Sequence, residues 1–313
     1  MSSAHDVREG GRWTAAQRVK NDALWVLARV ALAIAGVLPL PLLRSLGRHL
    51  GRLAHTLARN ARRTALHNVA LVLPELDDGA RSALVRRCFI HLGELLGETV
   101  AMLDATRASP PLPLTPEAAA ILDDARREGR GVVFASAHLG PWERVAASLV
   151  AAGVPLVALG REAYDPRFSL LYERMRRGHG VGVLWRAGPG SAARILRTLR
   201  SGGVLGIPMD LRSRVPGCDA PFLGHMAPTP VGPARIALRT RAPVVVGSAA
   251  PGRAGLVVTA TRIDAADLSA DDAGARELTA RINAELSRRI LALPHAWVWM
   301  HDRWNSAPGP LRV

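Results

Sequence analysis

A chain of 313 residues with 49% hydrophobic content can bury a substantial core as one large domain. Its formal net charge of +15 favours an anionic partner, such as phospholipid or an acidic carrier. Aromatic residues make up only 4% of the chain and are not interleaved with basic ones, so we expect no nucleic-acid partner. Cys88 and Cys218 lie far apart without a C-x-x-C spacing, which indicates neither a disulfide framework nor a metal site.

The N-terminal part of the chain combines a basic segment with an apolar one. Residues 1–22 are predicted to form a basic tail. Residues 23–43 reach the ~20 apolar residues of a membrane span only if Arg29 is included. We predict a membrane anchor helix here, with Arg29 reaching toward the lipid headgroups. A cleaved signal peptide, a buried helix and a helix lying on the cytoplasmic leaflet are the alternatives.

Residues 44–108 are predicted to be helical. Leucines repeat at helical spacing in the first of these helices, at positions 46, 50, 53 and 57, with arginines mainly on the other faces. The leucine stripe faces the core or a lipid surface. A turn at Pro74 separates two further helices, and a proline-rich linker at 109–116 follows.

From Glu117 onward, short β-rich runs alternate with helical ones. Such alternation predicts an α/β fold, with a mixed central sheet flanked by helices. We assign residues 109–305 to this domain and residues 306–313 to a C-terminal tail. The predicted strands cover residues 132–135, 155–159, 181–185, 204–208, 243–249 and 255–261.

One stretch at the end of the first predicted strand carries a chemical pattern, GVVFASAHLGPWE. The strand leads to His138, Gly140 and Pro141 break it, and Glu143 falls in the first turn of the next helix. The two side chains are thus expected to converge above a sheet edge, where open α/β folds bind ligands. A neutral imidazole there can deprotonate a hydroxyl if Glu143 holds its other ring nitrogen. A surface histidine beside a helix-capping glutamate is the alternative.

HLGPWE resembles the H-x4-D/E motif of the glycerolipid acyltransferase superfamily, and most closely the HLGNWE of the bacterial lipid A late acyltransferases, the lauroyl and myristoyl transferases. Other segments resemble that family in the expected order. They contain Arg161, Asp210, Phe222 with Gly224, Thr229, and the terminal WVWMHDRWN. Residue type alone favours a turn cap at Asp210, and a turn with a helix cap at Thr229 is the alternative for the segment that contains Phe222 and Gly224.

Four residues depart from the usual pattern of that family. They are Pro141, Asp165, Leu211 and Asn305.

The resemblance implies a membrane-bound O-acyltransferase with a glycerolipid acyltransferase-like fold. His138 and Glu143 are the implied catalytic pair, and Arg161 or backbone N–H groups near the following helix start would stabilise the oxyanion. The implied substrate-binding residues are Gly140, Trp142, Arg161, Asp210, Phe222, Gly224 and Thr229.

The implied donor is an acyl thioester of acyl carrier protein or coenzyme A, and the implied acceptor is a lipid A precursor or a related glycolipid. No metal and no cofactor is expected. The expected location is the inner membrane, bound to its anionic lipids, with the catalytic domain on the cytoplasmic side. An acyltransferase for another lipid, such as a phospholipid or aminolipid, and a non-catalytic basic membrane-associated protein are the alternatives.

Overall fold

The computed structural model describes residues 11–186, 188, 190–212 and 215–304. Asn305 and the predicted C-terminal tail lie outside these described residues. The described chain begins with four helices: α1 (Ala15–Ala35), α2 (Leu40–Leu57), α3 (Arg59–Val72) and α4 (Asp78–Ala101). Thr14 and Gln17 form a capping box at the start of α1, so this helix begins inside the segment expected to be a tail.

The apolar segment 23–43 does not form the single helix that we predicted. Helix α1 ends at Ala35, and Pro39 takes an extended conformation at the start of α2. Proline suits the first turn of a helix but not its interior, so Pro39 and Pro41 divide the segment between two helices. No helix in the described part of the chain is both long and apolar enough to cross a membrane.

Helices α2 and α4 cross through glycines. Gly47 and Gly51 on α2 face Gly93 and Gly97 on α4. A Cβ atom on Gly93 would lie 2.1 Å from the backbone oxygen of Gly47, so no side chain fits at this crossing. Because the glycine face of α2 packs against α4, the leucine stripe of α2 points outward. The exposed leucines of α2 are Leu42, Leu46, Leu50, Leu53 and Leu57.

A six-stranded mixed sheet forms the centre of the remaining chain. Its strand order is β3-β2-β4-β1-β7-β8, with β8 antiparallel to β7 and the other pairs parallel. This confirms the predicted α/β class and the mixed sheet. The strands of the described chain are β1 (Val132–Ser136), β2 (Leu156–Gly160), β3 (Gly182–Trp185), β4 (Val204–Pro208), β5 (Gly217–Phe222), β6 (His225–Pro230), β7 (Val244–Gly252) and β8 (Gly255–Ile263).

Helices connect the parallel strands and cover the sheet. They are α5 (Pro116–Arg127), α6 (Trp142–Ala151), α7 (Pro166–Gly178), α8 (Ser191–Arg200), α9 (Gly232–Thr240) and α10 (Asp272–Ala292), and a short 3₁₀ turn (Pro294–Ala296) follows. Strand β1 is buried from Val132 to Ala135, as expected for a central parallel strand covered on both faces. The carboxyl ends of β1 to β4 lie at one edge of the sheet, so the residues that follow these strands share that edge.

The β5–β6 hairpin was not predicted, because prolines run through both of its strands. Proline lacks an N–H and usually argues against a strand, but it is tolerated where that N–H would point away from the partner. Leu223 and Gly224 form the turn, with φ angles of 50° and 81°. Glycine adopts such angles without strain, and Leu223 is one of two non-glycine residues with positive φ in the described chain.

Candidate active site

His138 lies just beyond the end of β1, in a turn fixed by the C-terminal part of the chain. The Gly140 N–H donates to the Ala296 carbonyl at 3.0 Å, and Leu139 forms an isolated antiparallel bridge with Trp297. Gly140 has a φ of 59°, which glycine accepts freely. Helix α6 starts two residues later, at Trp142. The turn therefore holds the imidazole at the carboxyl edge of the sheet.

Asp210 is the hydrogen-bond partner of the His138 ring. The distance between His138 Nδ1 and Asp210 Oδ1 is 2.9 Å, and the backbone N–H of His138 donates to Asp210 Oδ2 at 2.8 Å. A carboxylate on Nδ1 places the proton of the neutral imidazole on that nitrogen. Nε2 is then the unprotonated nitrogen, and 27% of the His138 side chain is exposed. This is the arrangement of a general base.

Asp210 reaches His138 because β4 and β1 are neighbours in the sheet. Ser136 at the end of β1 pairs with Pro208 at the end of β4, and the Met209 N–H donates to the Ser136 carbonyl at 2.9 Å. Asp210 follows directly and is fully buried. Its Oδ2 also accepts from the indole N–H of Trp297, at 2.8 Å. Three N–H donors therefore hold this buried carboxylate.

The electrostatics of the pair favour a charged carboxylate and a basic imidazole. Burial by itself lowers the pKa of His138, but the neighbouring Asp210 outweighs burial and the pKa is raised above 6.5. Burial alone would raise the pKa of Asp210, but His138 and the Trp297 N–H keep it below 3.8. Asp210 is thus ionised at neutral pH and strengthens His138 as a proton acceptor.

Glu143 does not hold the His138 ring, contrary to the prediction. Its two carboxylate oxygens accept from Nε and Nη2 of Arg176 on α7, at 2.9 and 2.7 Å. Both side chains are largely buried, with 7% of Glu143 and 17% of Arg176 exposed. Glu143 contributes to the higher pKa of His138 only through its charge. Its main contact joins the first turn of α6 to the last turn of α7.

Two other predicted residues also lie at this edge. The Trp142 ring packs edge-on against the His138 ring, with centroids 5.2 Å apart. Arg161 directly follows β2, and its side chain is exposed. Because β4 lies between β2 and β1, the ends of β2 and β1 are about 10 Å apart. The Arg161 side chain is long enough to contact a substrate bound between these two strand ends.

A shallow depression lies beside the His138 turn. Gly140, Trp142 and Glu143 form one side of it, and Leu95, Thr99 and Met102 near the end of α4 are part of the other. Both apolar and charged side chains line it, since Glu98 and Arg144 also contribute. The α4 residues were not predicted to line a site, because nothing in the sequence indicates that α4 packs next to the start of α6.

Phe222, Gly224 and Thr229 lie in the β5–β6 hairpin and not beside His138. Phe222 is buried against the Trp297 ring, with centroids 5.7 Å apart. The buried Thr229 hydroxyl accepts from Arg303 Nη2 at 2.7 Å and so forms no helix cap. The Phe222 and Thr229 side chains thus support the C-terminal segment, and a role of these residues and Gly224 in substrate binding stays a prediction.

The sequence analysis missed Arg176 and Trp297 as parts of the site. Trp297 begins the terminal WVWMHDRWN segment that resembles the family, and a tryptophan that is buried needs a partner for its indole N–H. Arg176 carries no signal in the sequence that distinguishes it from the many other helical arginines. Within the described residues, no group of three or more His, Cys, Asp or Glu side chains could hold a metal ion.

One known family matches the chain over most of its length. The sequence profile described as "bacterial lipid A biosynthesis acyltransferase" matches residues 15–306, which is nearly the whole chain. No curated protein matches the chain significantly. With a histidine–carboxylate pair at the carboxyl edge of the sheet and a family match of this extent, the chain belongs to the bacterial lipid A biosynthesis acyltransferase family, and the protein is an acyltransferase.

Proposed function

We propose that the protein transfers a fatty acyl chain from an acyl thioester to a hydroxyl of a lipid A precursor or a related glycolipid, with His138 as the general base. The observation that carries this proposal is the 2.9 Å contact between His138 Nδ1 and the buried Asp210 carboxylate. It leaves Nε2 as the basic nitrogen at an accessible edge of the sheet. A hydroxyl is the group that an imidazole of raised pKa deprotonates near neutral pH.

The reaction then proceeds without a covalent enzyme intermediate. His138 Nε2 removes the proton of the acceptor hydroxyl as its oxygen attacks the thioester carbonyl carbon. The tetrahedral oxyanion collapses, the carbon–sulfur bond breaks, and the imidazolium returns its proton to the leaving thiolate. Asp210 stabilises the imidazolium while the proton resides on it.

Arg161 is the candidate for stabilising the oxyanion. The other candidates were backbone N–H groups at the start of α6. The Gly140 N–H already donates to Ala296, and the Trp142 N–H donates to the Gly140 carbonyl at 3.0 Å. Arg161 is exposed, and the structure gives it no fixed ion pair among the described residues. A guanidinium there supplies charge where negative charge develops.

The donor is an acyl carrier protein or a coenzyme A thioester. Both carriers are anionic, and the chain carries a formal charge of +15. Comparing acyl carrier protein and coenzyme A thioesters as donors at equal concentration distinguishes the two.

The enzyme acts at the cytoplasmic surface of the inner membrane. Apolar side chains are exposed along α1, including Val26, Leu27, Val30 and Ile34, and the leucine stripe of α2 adds to them. Exposed apolar surface of this extent on two adjacent helices is typical of a lipid interface. Arg52 and Arg59, exposed on or beside α2, would interact with anionic headgroups at about 1 kcal/mol each.

The test compares two histidine variants in membranes. His138→Ala should abolish consumption of a radiolabelled acyl thioester and the appearance of acylated lipid in mass spectra of total lipids. His67→Ala is the matched control, because His67 is exposed on α3 and has no contact in the site. Full activity of His138→Ala, in protein that is folded as judged by circular dichroism, would overturn the proposal.

A further inference from the structure

Trp297 is the one side chain besides His138 that the structure shows bonded to the Asp210 carboxylate within the described residues. Its indole N–H donates to Oδ2 at 2.8 Å, while His138 Nδ1 is bonded to Oδ1. Both Trp297 and Asp210 are fully buried, so no water competes for this bond. A buried tryptophan N–H needs an acceptor, and this one uses an ionised carboxylate.

Three separate parts of the chain fix the position of Trp297. The Cys88 thiol on α4 donates to the Trp297 carbonyl at 2.9 Å, and burial raises the pKa of that thiol to about 12, so it remains a donor. The backbone of Trp297 bridges to Leu139, next to His138. Its ring packs on Phe222 of the hairpin. The indole is therefore held rigidly on the carboxylate.

We propose that Trp297 is a positioning residue for the general base, because its N–H fixes the Asp210 carboxylate in the orientation that presents Oδ1 to His138. This inference rests on the proposed role of His138. The proposal gives the C-terminal segment after the 3₁₀ turn a function beyond packing. Packing alone would not require a tryptophan at position 297, because a phenylalanine could fill most of the same volume.

The hydrogen bond has a predictable electrostatic effect. When His138 is neutral, Asp210 has no cation in contact, and the Trp297 N–H compensates its charge most strongly. When His138 is protonated, the imidazolium takes over much of that compensation. The indole N–H therefore stabilises the neutral form of His138 more than the charged form. Removing it should make the pair easier to protonate.

Other charged and titratable groups face the pair from each neighbouring element. Glu143 of α6 and Arg176 of α7 act on His138 with opposite signs. His301 and Arg303 of the C-terminal segment lie close enough to Asp210 to interact with its charge. All four are retained in the variants below, so a change in titration reports on the indole N–H.

The test measures the titration of His138 in the folded full-length protein, by NMR of protein with ¹³C-labelled histidine in detergent micelles. The His138 signal is assigned by its loss in His138→Gln. Trp297→Phe should raise the pKa of His138 by about one unit. Trp299→Phe is the matched control, since Trp299 is equally buried, packs on Trp297 at 4.9 Å and donates its N–H at 2.6 Å to the Pro294 carbonyl instead.

A second variant keeps the test valid if Trp297→Phe does not fold. Replacement of Trp297 by β-(3-benzothienyl)alanine exchanges the N–H for a sulfur atom that cannot donate, and it largely preserves the ring shape. It should also raise the pKa of His138, and it should lower kcat for acyl transfer roughly tenfold or more with little change in KM.

A His138 pKa that is unchanged in both Trp297 variants, or that moves equally in Trp299→Phe, would overturn the proposal. The NMR titration needs no substrate, so it tests the role of Trp297 even if acyl transfer is not the reaction. Loss of acyl transfer in these variants without a change in the His138 titration would also count against it.

Discussion

Glu143 and Arg176 form a buried two-point ion pair that ties the start of α6 to the end of α7. The glutamate of the H-x4-E motif thus holds the helix that follows the His138 turn. Both of its oxygens accept from the guanidinium, and the structure shows no hydrogen bond to the His138 ring from it among the described residues. Five residues after His138, it makes this anchoring contact, and the carboxylate bonded to the His138 ring is that of Asp210, which follows β4.

Neutralising Glu143 should destabilise the fold more than it changes the base. Glu143→Gln leaves the Arg176 charge buried without a partner, at a cost of about 3 kcal/mol in the free energy of unfolding. Acyl transfer should slow but remain measurable. Glu143→Gln combined with Arg176→Gln should recover part of the lost stability and part of the lost acyl-transfer rate, because no unpaired charge remains. Thermal unfolding and initial rates of the three variants check this.

The opposite outcome for Glu143 would be informative. If Glu143→Gln eliminates activity as completely as His138→Ala and unfolds at the same temperature as the wild type, Glu143 acts on the reacting groups and the ion pair is secondary.

Asp210→Asn should abolish most of the activity without unfolding the protein. An amide N–H on Nδ1 would favour the wrong tautomer of His138, as in triads that lose their aspartate, with a rate loss of roughly 10³–10⁴-fold. In the wild type, the raised pKa of His138 means that kcat/KM falls as the pH drops through a value above 6.5. Without the carboxylate that value should decrease. A pH–rate profile identical to that of the wild type would contradict the assignment.

The turn that carries His138 could be predicted from the sequence, but the contact between His138 and Asp210 could not. The local pattern around His138 indicated a strand, a turn and a helix, and the structure has them. Asp210 was recognised as a family residue, but its contact with His138 depends on β4 lying beside β1. Spatial strand order differs from chain order, so spacing favoured Glu143, the nearer carboxylate.

The contacts of the C-terminal segment could not be predicted from the sequence. Trp297 reaches Asp210 through a turn and a bridge to Leu139 that have no periodic signal. The β5–β6 hairpin, which supports that segment, is hidden by its prolines. Phe222 and Thr229 were predicted as substrate-binding residues, and the structure shows their contacts with Trp297 and Arg303.

The glycine crossing of α2 and α4 should be intolerant of any side chain. Gly93→Ala would place a Cβ atom 2.1 Å from the Gly47 oxygen, so the helices must separate, at a cost of about 2–3 kcal/mol. Gly178→Ala is the control, since nothing lies within 4 Å of a Cβ atom there. Chemical denaturation should show a lower midpoint only for Gly93→Ala. Equal midpoints would mean that the helices pack less closely than described.

Arg161→Ala should lower kcat roughly 100-fold with a small change in KM, because a group that stabilises the oxyanion acts mainly in the transition state. Arg239→Ala is the control, since Arg239 is an exposed arginine near the end of α9, just before β7 begins, and so lies at the opposite edge of the sheet. A large rise in KM for the acyl thioester with unchanged kcat would instead indicate that Arg161 binds a phosphate of the donor.

Membrane binding should depend on the leucine stripe of α2. Leu46→Glu combined with Leu50→Glu removes two exposed apolar side chains that would each contribute roughly 2 kcal/mol on entering the lipid interface, and it adds charges that anionic lipid repels. Flotation with vesicles containing phosphatidylglycerol should show at least a tenfold loss of bound protein. Leu291→Glu is the control, since Leu291 is similarly exposed, at 45%, but lies on α10. If both variants float like the wild type, α2 is not the membrane contact. If Leu291→Glu loses binding equally, charge alone explains the effect and the stripe has no special role.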